Sequence, residues 1–312
     1  MVAAAFKPGR VISIGECMVE LARGDDGRFA LAYGGDTFNT AVYLARAGVG
    51  VDYATRLGDD PYSAGMLDLA RSENVGTALI AIAKGRMPGL YMIETTGGER
   101  TFWYWRDRAP ARELFDHPQA QAAIAAMRTA AAVYLSGVTL SLYGPGALDR
   151  LAAALLEARG AGTRIVMDSN YRPRGWSGDA ARAREVFRRF WSLADIALPT
   201  FDDEAALWGD AEPAATVERL AALGVPEIVV KRGADGALVA ADGVVVPAPC
   251  PAIVAPVDTT AAGDSFNAGY LAARIAGAAP RDAALTGHRL AQIVVQHRGA
   301  IVPRAVTQSL LG

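Results

Sequence analysis

The chain has 312 residues, with 31 Lys and Arg against 33 Asp and Glu for a formal net charge of −2. That balance excludes a partner of the nucleic-acid backbone, which needs a surplus of clustered cations. The two cysteines, Cys17 and Cys250, lie too far apart for a zinc ribbon or a disulfide framework and fit a reducing cytosol.

The apolar stretch before Phe6 is too short for a secretory signal. Val11–Gly15 then reads as a β-branched strand, and a polar, Gly-containing stretch through Gly27 leads to an extended segment at Arg28–Tyr33. Gly34, Gly35 and Asp36 precede a helix over Thr37–Ala47, where Phe38, Ala41, Val42 and Ala45 recur at helical spacing and Gly48 is the stop signal. Val51–Leu57 is predicted as a strand and Tyr62–Arg71 as a helix started by Asp60 and Pro61.

Between Ala78 and Arg108 the pattern changes to short strands, at Ala78–Ile82, Gly89–Glu94 and Arg100–Arg106, the last two joined by a turn at Thr96–Glu99. This aromatic patch is predicted as a small accessory sheet or lid. The longest uncharged run, Thr129–Leu148, is broken by Ser136, Gly137, Gly144, Pro145 and Gly146, so it reads as a buried strand and a loop and not as a membrane span.

Strands and helices then alternate: strands at Ala132–Leu135, Thr163–Asp168, Ile196–Pro199 and Glu227–Val230, helices at Pro145–Arg159, Asp179–Trp191 and Thr216–Leu223. Such alternation predicts βαβ units and a parallel sheet covered on both faces. A hairpin, Ala237–Ala240 with Val244–Pro247, interrupts it, and helices at Gly263–Ala276 and Arg281–Gln296 finish the chain.

Several chemistries fall away. None of the three lysines, Lys7, Lys84 and Lys231, follows a glycine as a Walker A lysine must, and no complete G-x-G-x-x-G fingerprint is present. His117, His288 and His297 form no H-E-x-x-H, and there is no G-x-S-x-G elbow. What remains is Asp258-Thr259-Thr260-Ala261-Ala262-Gly263-Asp264-Ser265-Phe266. Gly-Asp alone means little, because the chain has six such dipeptides. Here, however, small residues sit immediately before an amphipathic helix, where their N–H groups can converge on an anion. Asp264 is then either a favourable N-terminal helix charge or the base of a hydroxyl-phosphorylating enzyme, and local physics leaves both open.

The C-terminal segment matches D-T-T-x-A-G-D-x-F, and Gly34-Gly35-Asp36-Thr37-Phe38-Asn39-Thr40-Ala41 supplies a second motif about 220 residues earlier. With these two motifs in this order, the whole chain strongly resembles the ribokinase-like (PfkB) family of sugar kinases. Ile14–Met18, Tyr104–Arg106 and Asp168–Pro173 suit the members acting on the keto-deoxy sugar acid 2-keto-3-deoxygluconate.

The resemblance implies an α/β fold, a ribokinase-like three-layer sandwich with a mostly parallel central sheet and a small antiparallel β lid. It implies one domain over 1–312, with the lid from about 16–34 and 78–108. Asp264 is implied as catalytic base for the terminal hydroxyl, with the amides of Ala261, Ala262, Gly263 and Asp264 as anion hole. Gly34, Gly35, Asp36 and Asn39 are implied to bind sugar hydroxyls, Tyr91 and Tyr104 to cover the sugar, and Arg106 to pair with its carboxylate, a task suited to a guanidinium fork.

For ATP, the resemblance implies Asn170 and Arg172 near the phosphates, Lys231, Gly233 and Gly236 on the adjoining loop, and His288 and Ala291 at the adenine. Glu204 is implied to act on the Mg²⁺ hydration shell, although the family's N-x-x-E motif reads Phe201-Asp202-Asp203-Glu204 here. Asp258 and Thr260 are implied to hold a monovalent cation such as K⁺. The expected partners are a small sugar acid and ATP, with no nucleic acid or membrane, and a homo-oligomer through the lid, in the cytoplasm. A kinase for fructose or another neutral sugar is the alternative within the same chemistry, and a catalytically silent sugar-binding protein the alternative outside it.

Overall fold

The computed structural model describes residues 6–24, 26–96 and 99–311. The described residues form fourteen strands: β1 (Val11–Ile14), β2 (Met18–Arg23), β3 (Phe29–Gly34), β4 (Val51–Gly58), β5 (Val75–Gly76), β6 (Ile80–Ala83), β7 (Leu90–Thr96), β8 (Glu99–Trp105), β9 (Ala132–Ser136), β10 (Arg164–Asp168), β11 (Ile196–Ala197), β12 (Glu227–Lys231), β13 (Ala237–Ala241) and β14 (Val244–Ala248). The large sheet runs β14-β13-β12-β11-β10-β9-β1-β4-β5, with β6 also paired to β4. Every pairing from β12 to β5 is parallel, and only the β12-β13-β14 edge is antiparallel.

Because side chains alternate along a strand, each inner strand feeds two cores. Ile12, Ile14, Val133, Leu135, Ile165 and Met167 join the helices Pro145–Gly160, Ala180–Trp191 and Pro213–Ala222 on one face. Val11, Ala132, Tyr134 and Val166 join the helices Asp36–Arg46, Ala262–Ile275 and Pro280–Val294 on the other. Helix, sheet and helix make three layers.

The chain first builds outward from β1 to β4 and β5, then returns to add β9 through β12 on the other side. The direction of building therefore reverses between β1 and β9, and ligands of open α/β sheets bind beyond the carboxyl ends of strands at such a reversal.

A second sheet, ordered β3-β2-β7-β8, stands apart. Short connections make β2-β3 and β7-β8 antiparallel, whereas β2 and β7, separated by the whole first crossover, pair parallel. Three details depart from the sequence reading. Met18–Arg23 is a strand inside the stretch read as a polar connection, Ile80–Ala83 belongs to the large sheet and not to the accessory patch, and Gly137–Leu142 is a short helix capped by Ser136 where a loop was predicted. The turn at Gly97 and Gly98 and the residues before Phe6 lie outside the described residues. No described helix is long and apolar enough to cross a membrane, and Cys17 and Cys250 are both free thiols.

Candidate active site

Two helix N-termini meet beyond the ends of β1, β9, β10 and β12. Helix Asp36–Arg46 starts after Gly35 and helix Ala262–Ile275 after Ala261, and no described side chain caps either one. Their first N–H groups and aligned peptide dipoles make both ends electropositive. Ala261 holds φ 59°, a left-handed conformation that an alanine adopts at a cost. A Cβ at Gly35 would overlap the Glu16 carbonyl oxygen, so only glycine lets these backbones approach.

Side chains tie the two helices together. Asn39 Nδ2 donates to Asp264 Oδ2 at 2.8 Å, and Thr40 Oγ1 donates to the Asp264 carbonyl at 3.2 Å. Behind them, Lys231 Nζ donates to Asp168 Oδ1 and to Asn267 Oδ1, both at 3.0 Å. Asn267 Nδ2 in turn donates to Asp168 Oδ2 at 2.8 Å and to the Tyr134 hydroxyl at 2.9 Å. Asn170, itself at φ 31°, donates from Nδ2 to Asp36 Oδ2 at 2.6 Å.

The cluster thus gathers three carboxyls, Asp168 and Asp264 buried and Asp36 part-buried, near one ammonium, Lys231. Burial first, then the neighbouring Asp36, pushes the Asp264 carboxyl from 3.8 up to about 8, against the Asn39 hydrogen bond and Lys231, which favour the ionised form. Asp36 is also raised, chiefly by burial. A carboxyl poised near neutrality beside two positive helix ends can accept a proton from a hydroxyl while the N–H groups hold developing negative charge.

On the side of the small sheet, Gly34, Glu20 and Tyr91 converge with Asn39. The Tyr91 hydroxyl donates to Glu20 Oε2, and a Cβ at Gly34 would lie 3.1 Å from that hydroxyl and 3.5 Å from Asn39 Oδ1. Tyr104 pairs across the ladder with Tyr91, their rings 6.0 Å apart. Arg106 sits at 6.0 Å from the Tyr104 ring centre, and its Nη2 lies 2.5 Å from Glu16 Oε2. The sequence reading does not single out Glu16 or Glu20. For Glu20 the signal is the alternation of β2, which puts Met18, Glu20 and Ala22 on the face opposite Val19 and Leu21; Glu16 lies in the connection before that strand.

On the other side, Gly233 and Gly236, both at positive φ, shape the turn after β12. A Cβ on Gly263 would sit 3.6 Å from Lys231 Nζ, so the ammonium lies beside the start of the Ala262 helix. His288 is buried, with Nε2 3.1 Å from the Ala248 carbonyl and its ring edge-on to Phe266, and burial lowers its pKa. Ala291 follows one turn later on the same helix and is partly buried. Asp258 accepts from the N–H of Thr260 at 2.8 Å and of Gly299 at 2.9 Å.

The helix Phe201–Trp208 divides its acidic residues. Glu204 is buried against Arg219, which donates to its Oε2 at 2.7 Å, and burial raises its carboxyl to about 7. Asp203, one residue earlier, accepts from Ser169 Oγ, the Tyr171 N–H and Arg172 Nη1 at 3.0–3.3 Å, and feels the charges of Asp168 and Lys231. The family resemblance points to Glu204, whereas position alone does not separate Asp202, Asp203 and Glu204, because all three lie in the first helical turn. Asp168 and Asn267 are also absent from the sequence-derived site. The position of Asp168 at a strand's carboxyl end and the i+3 spacing of Asn267 from Asp264 are the usable signals. Among the described residues no group of three or more His, Cys, Asp or Glu side chains is arranged to hold a metal ion.

Residues 9–307 match the model of the pfkB family of carbohydrate kinases. The chain belongs to this family. It is 44% identical to the 2-dehydro-3-deoxygluconokinase of Escherichia coli K12 over 307 residues, covering 95% of this chain and 97% of that protein. Identity to the Haemophilus influenzae 2-dehydro-3-deoxygluconokinase is 37%, covering 96% and 98%. Among solved structures, the Thermotoga maritima 2-dehydro-3-deoxygluconokinase superposes with a TM-score of 0.82 at 21% identity, covering 99% of both chains. A Vibrio cholerae fructokinase bound to fructose, ADP and calcium gives 0.83 at 21%, covering 97% and 99%. At that identity the two structures speak for the pfkB fold, and both helix termini of this chain's site fall within the matched family span.

Proposed function

We propose that this pfkB-family kinase transfers the terminal phosphoryl group of ATP to the end hydroxyl of 2-keto-3-deoxygluconate, giving 2-keto-3-deoxy-6-phosphogluconate. The observation that carries the reading is Asp264, a buried carboxylate with raised pKa, aligned by Asn39 in the first turn of an uncapped helix. Ionised Asp264 takes the hydroxyl proton as the bond to phosphorus forms, and the N–H groups of Ala261, Ala262, Gly263 and Asp264 hold the spreading charge. Gly34, Gly35, Asp36, Asn39, Tyr91 and Tyr104 hold the sugar, and Arg106 takes its carboxylate. The 37–44% identity to relatives named for this substrate supports the choice of a sugar acid.

On the nucleotide side the reading assigns Asn170, Arg172, Lys231, Gly233 and Gly236 to the phosphates, and His288 with Ala291 to the adenine. Mg²⁺ typically takes one or two carboxylates together with substrate phosphates and water, and it would neutralise charge on the nucleotide. We assign Asp203 to that role and not Glu204, because Glu204 is engaged by Arg219 while Asp203 adjoins Arg172 and Ser169. Asp258 and Thr260 are assigned to a monovalent cation. A Vibrio cholerae fructokinase solved with fructose, ADP and a potassium ion supports this.

Phe29, Leu31, Trp103 and Trp105, each 45–57% exposed, share the outer face of the small sheet with Val19, Leu21 and Leu90. The same face carries a cavity of about 410 Å³ lined by Val19, Leu21, Leu31, Tyr62, Met87, Pro88 and Leu90. An apolar patch of this kind suits a second copy of the chain, and light scattering of Leu31→Asp against wild type tests it.

An assay of ATP consumption with keto-deoxygluconate, fructose and ribose tests the activity. The sugar acid is expected to be turned over far faster than either neutral sugar. Preference for fructose or ribose, or no transfer to any of the three, refutes the reading.

A further inference from the structure

Glu16 has no part in the chemistry described above, yet it is among the most buried charged side chains in the molecule. Its side chain is 1% exposed, at the crossing from β1 into β2, and its backbone lies against Gly35 at the head of the sugar-side helix. Arg106, 17% exposed, reaches it from the end of β8 with Nη2 2.5 Å from Oε2. Even so, among the described residues neither Glu16 oxygen, nor Arg106 Nε or Nη2, has a partner in hydrogen-bond geometry. Burying a charged pair with this much hydrogen-bonding capacity left over is costly unless something completes it. Burial raises the Glu16 carboxyl, the Arg106 and Arg112 charges oppose that rise and the Asp36 charge adds to it, so Arg106 is the cation in contact that holds Glu16 ionised.

We propose that Glu16 is a positioning residue for substrate selection: it holds one edge of the Arg106 guanidinium so that another edge is presented, already ordered, to the carboxylate of the sugar acid. The inference rests on the sugar-acid reading above. An arginine without this anchor must be ordered anew at each binding event, and its long side chain makes that ordering expensive. The anchor is present before and after the transition state forms, so it affects binding and leaves turnover nearly untouched.

The test measures the Kd of keto-deoxygluconate by calorimetry, with kcat and the KM for ATP alongside, in wild type, Glu16→Gln, Arg106→Gln and the double variant. Glu16→Gln is expected to weaken sugar-acid binding about 10- to 30-fold, with kcat within about threefold and the KM for ATP unchanged. In the Arg106→Gln background the same substitution is expected to change binding less than about twofold, the signature of two residues acting through one contact.

Gly89→Ala is the second variant, because a Cβ there would meet Glu16 Oε1 at 2.8 Å and Arg106 Cβ at 3.1 Å while altering no charge. It is expected to weaken sugar-acid binding in the same direction, and it decides the matter if Glu16→Gln fails to fold. Unchanged or tighter binding in Glu16→Gln or in Gly89→Ala overturns the proposal. So does an equal loss with and without Arg106. A wild-type protein that does not phosphorylate keto-deoxygluconate overturns the underlying reading instead, and this inference falls with it.

Discussion

Replacing Asp264 with Asn separates what the carboxylate does for chemistry from what it costs the fold. Burial and Asp36 push this carboxyl from 3.8 to about 8, so the folded chain retains there a proton that the unfolded chain releases near pH 4. The contribution of this group to stability therefore falls as pH rises from about 4 and levels off above about 8. At about 1.36 kcal/mol per pH unit, the accumulated loss is on the order of 5 kcal/mol. A neutral amide of the same shape escapes that loss, and its oxygen still accepts the Asn39 hydrogen bond seen at 2.8 Å.

Asp264→Asn is thus expected to melt above wild type by a margin at pH 9 that is about twice its margin at pH 6. Its turnover is expected to fall about 10²- to 10⁴-fold. In wild type, kcat/KM for the sugar is expected to rise with unit slope up to about pH 8, where Asp264 becomes ionised in the free enzyme. Calorimetric melts at the two pH values and a coupled ADP-release assay read all three quantities. A melting margin independent of pH refutes the buried-ionisation argument, and near-wild-type turnover refutes the base assignment.

Lys231→Met removes the cation that favours ionised Asp264. The acid limb of kcat/KM should move to higher pH, and a limb that stays in place would show that the ammonium does not act on the base. Gly35→Ala drives a Cβ into the Glu16 carbonyl, so a loss of about 1–3 kcal/mol in denaturant unfolding is expected, together with weaker sugar binding; a neutral result would mean that the helix head can retreat. Asp203→Asn and Glu204→Gln should divide their effects. The first is expected to raise the KM for ATP and the Mg²⁺ requirement, and the second mainly to lower the melting temperature by disturbing the Arg219 pair. The reverse pattern would return the nucleotide role to Glu204.

Much of this arrangement is legible in the chain because its signals are local. The β-branched run at Val11, the glycine pair before Asp36 and the small residues before Asp264 each announce a strand end or a helix start, and these are the places where the site forms. β2 is harder to read, because Glu20 and Arg23 make it look like a solvated connection until its pairing with β3 and β7 is known. Likewise Ile80–Ala83 follows the same apolar pattern as its neighbours in sequence, and only its register against Thr55–Gly58 assigns it to the large sheet. Asp168, Asn267 and Lys231 come together from a strand, a helix and another strand, and no spacing along the chain encodes such a meeting. The choice between Asp203 and Glu204 turns on about 100° of helical rotation, which becomes visible once Arg219 is seen to occupy one side.

The hydrogen bond from Asn39 to Asp264 closes a loop of 225 residues. During synthesis, at about 5–20 residues per second, Asn39 is made about 11 to 45 seconds before its partner. Over that interval the glycine-rich head of the first helix has no counterpart, and no nascent chain can act on sugar or nucleotide. Activity should therefore return late in refolding, after the secondary structure, since contacts of such long sequence separation are the slowest to form.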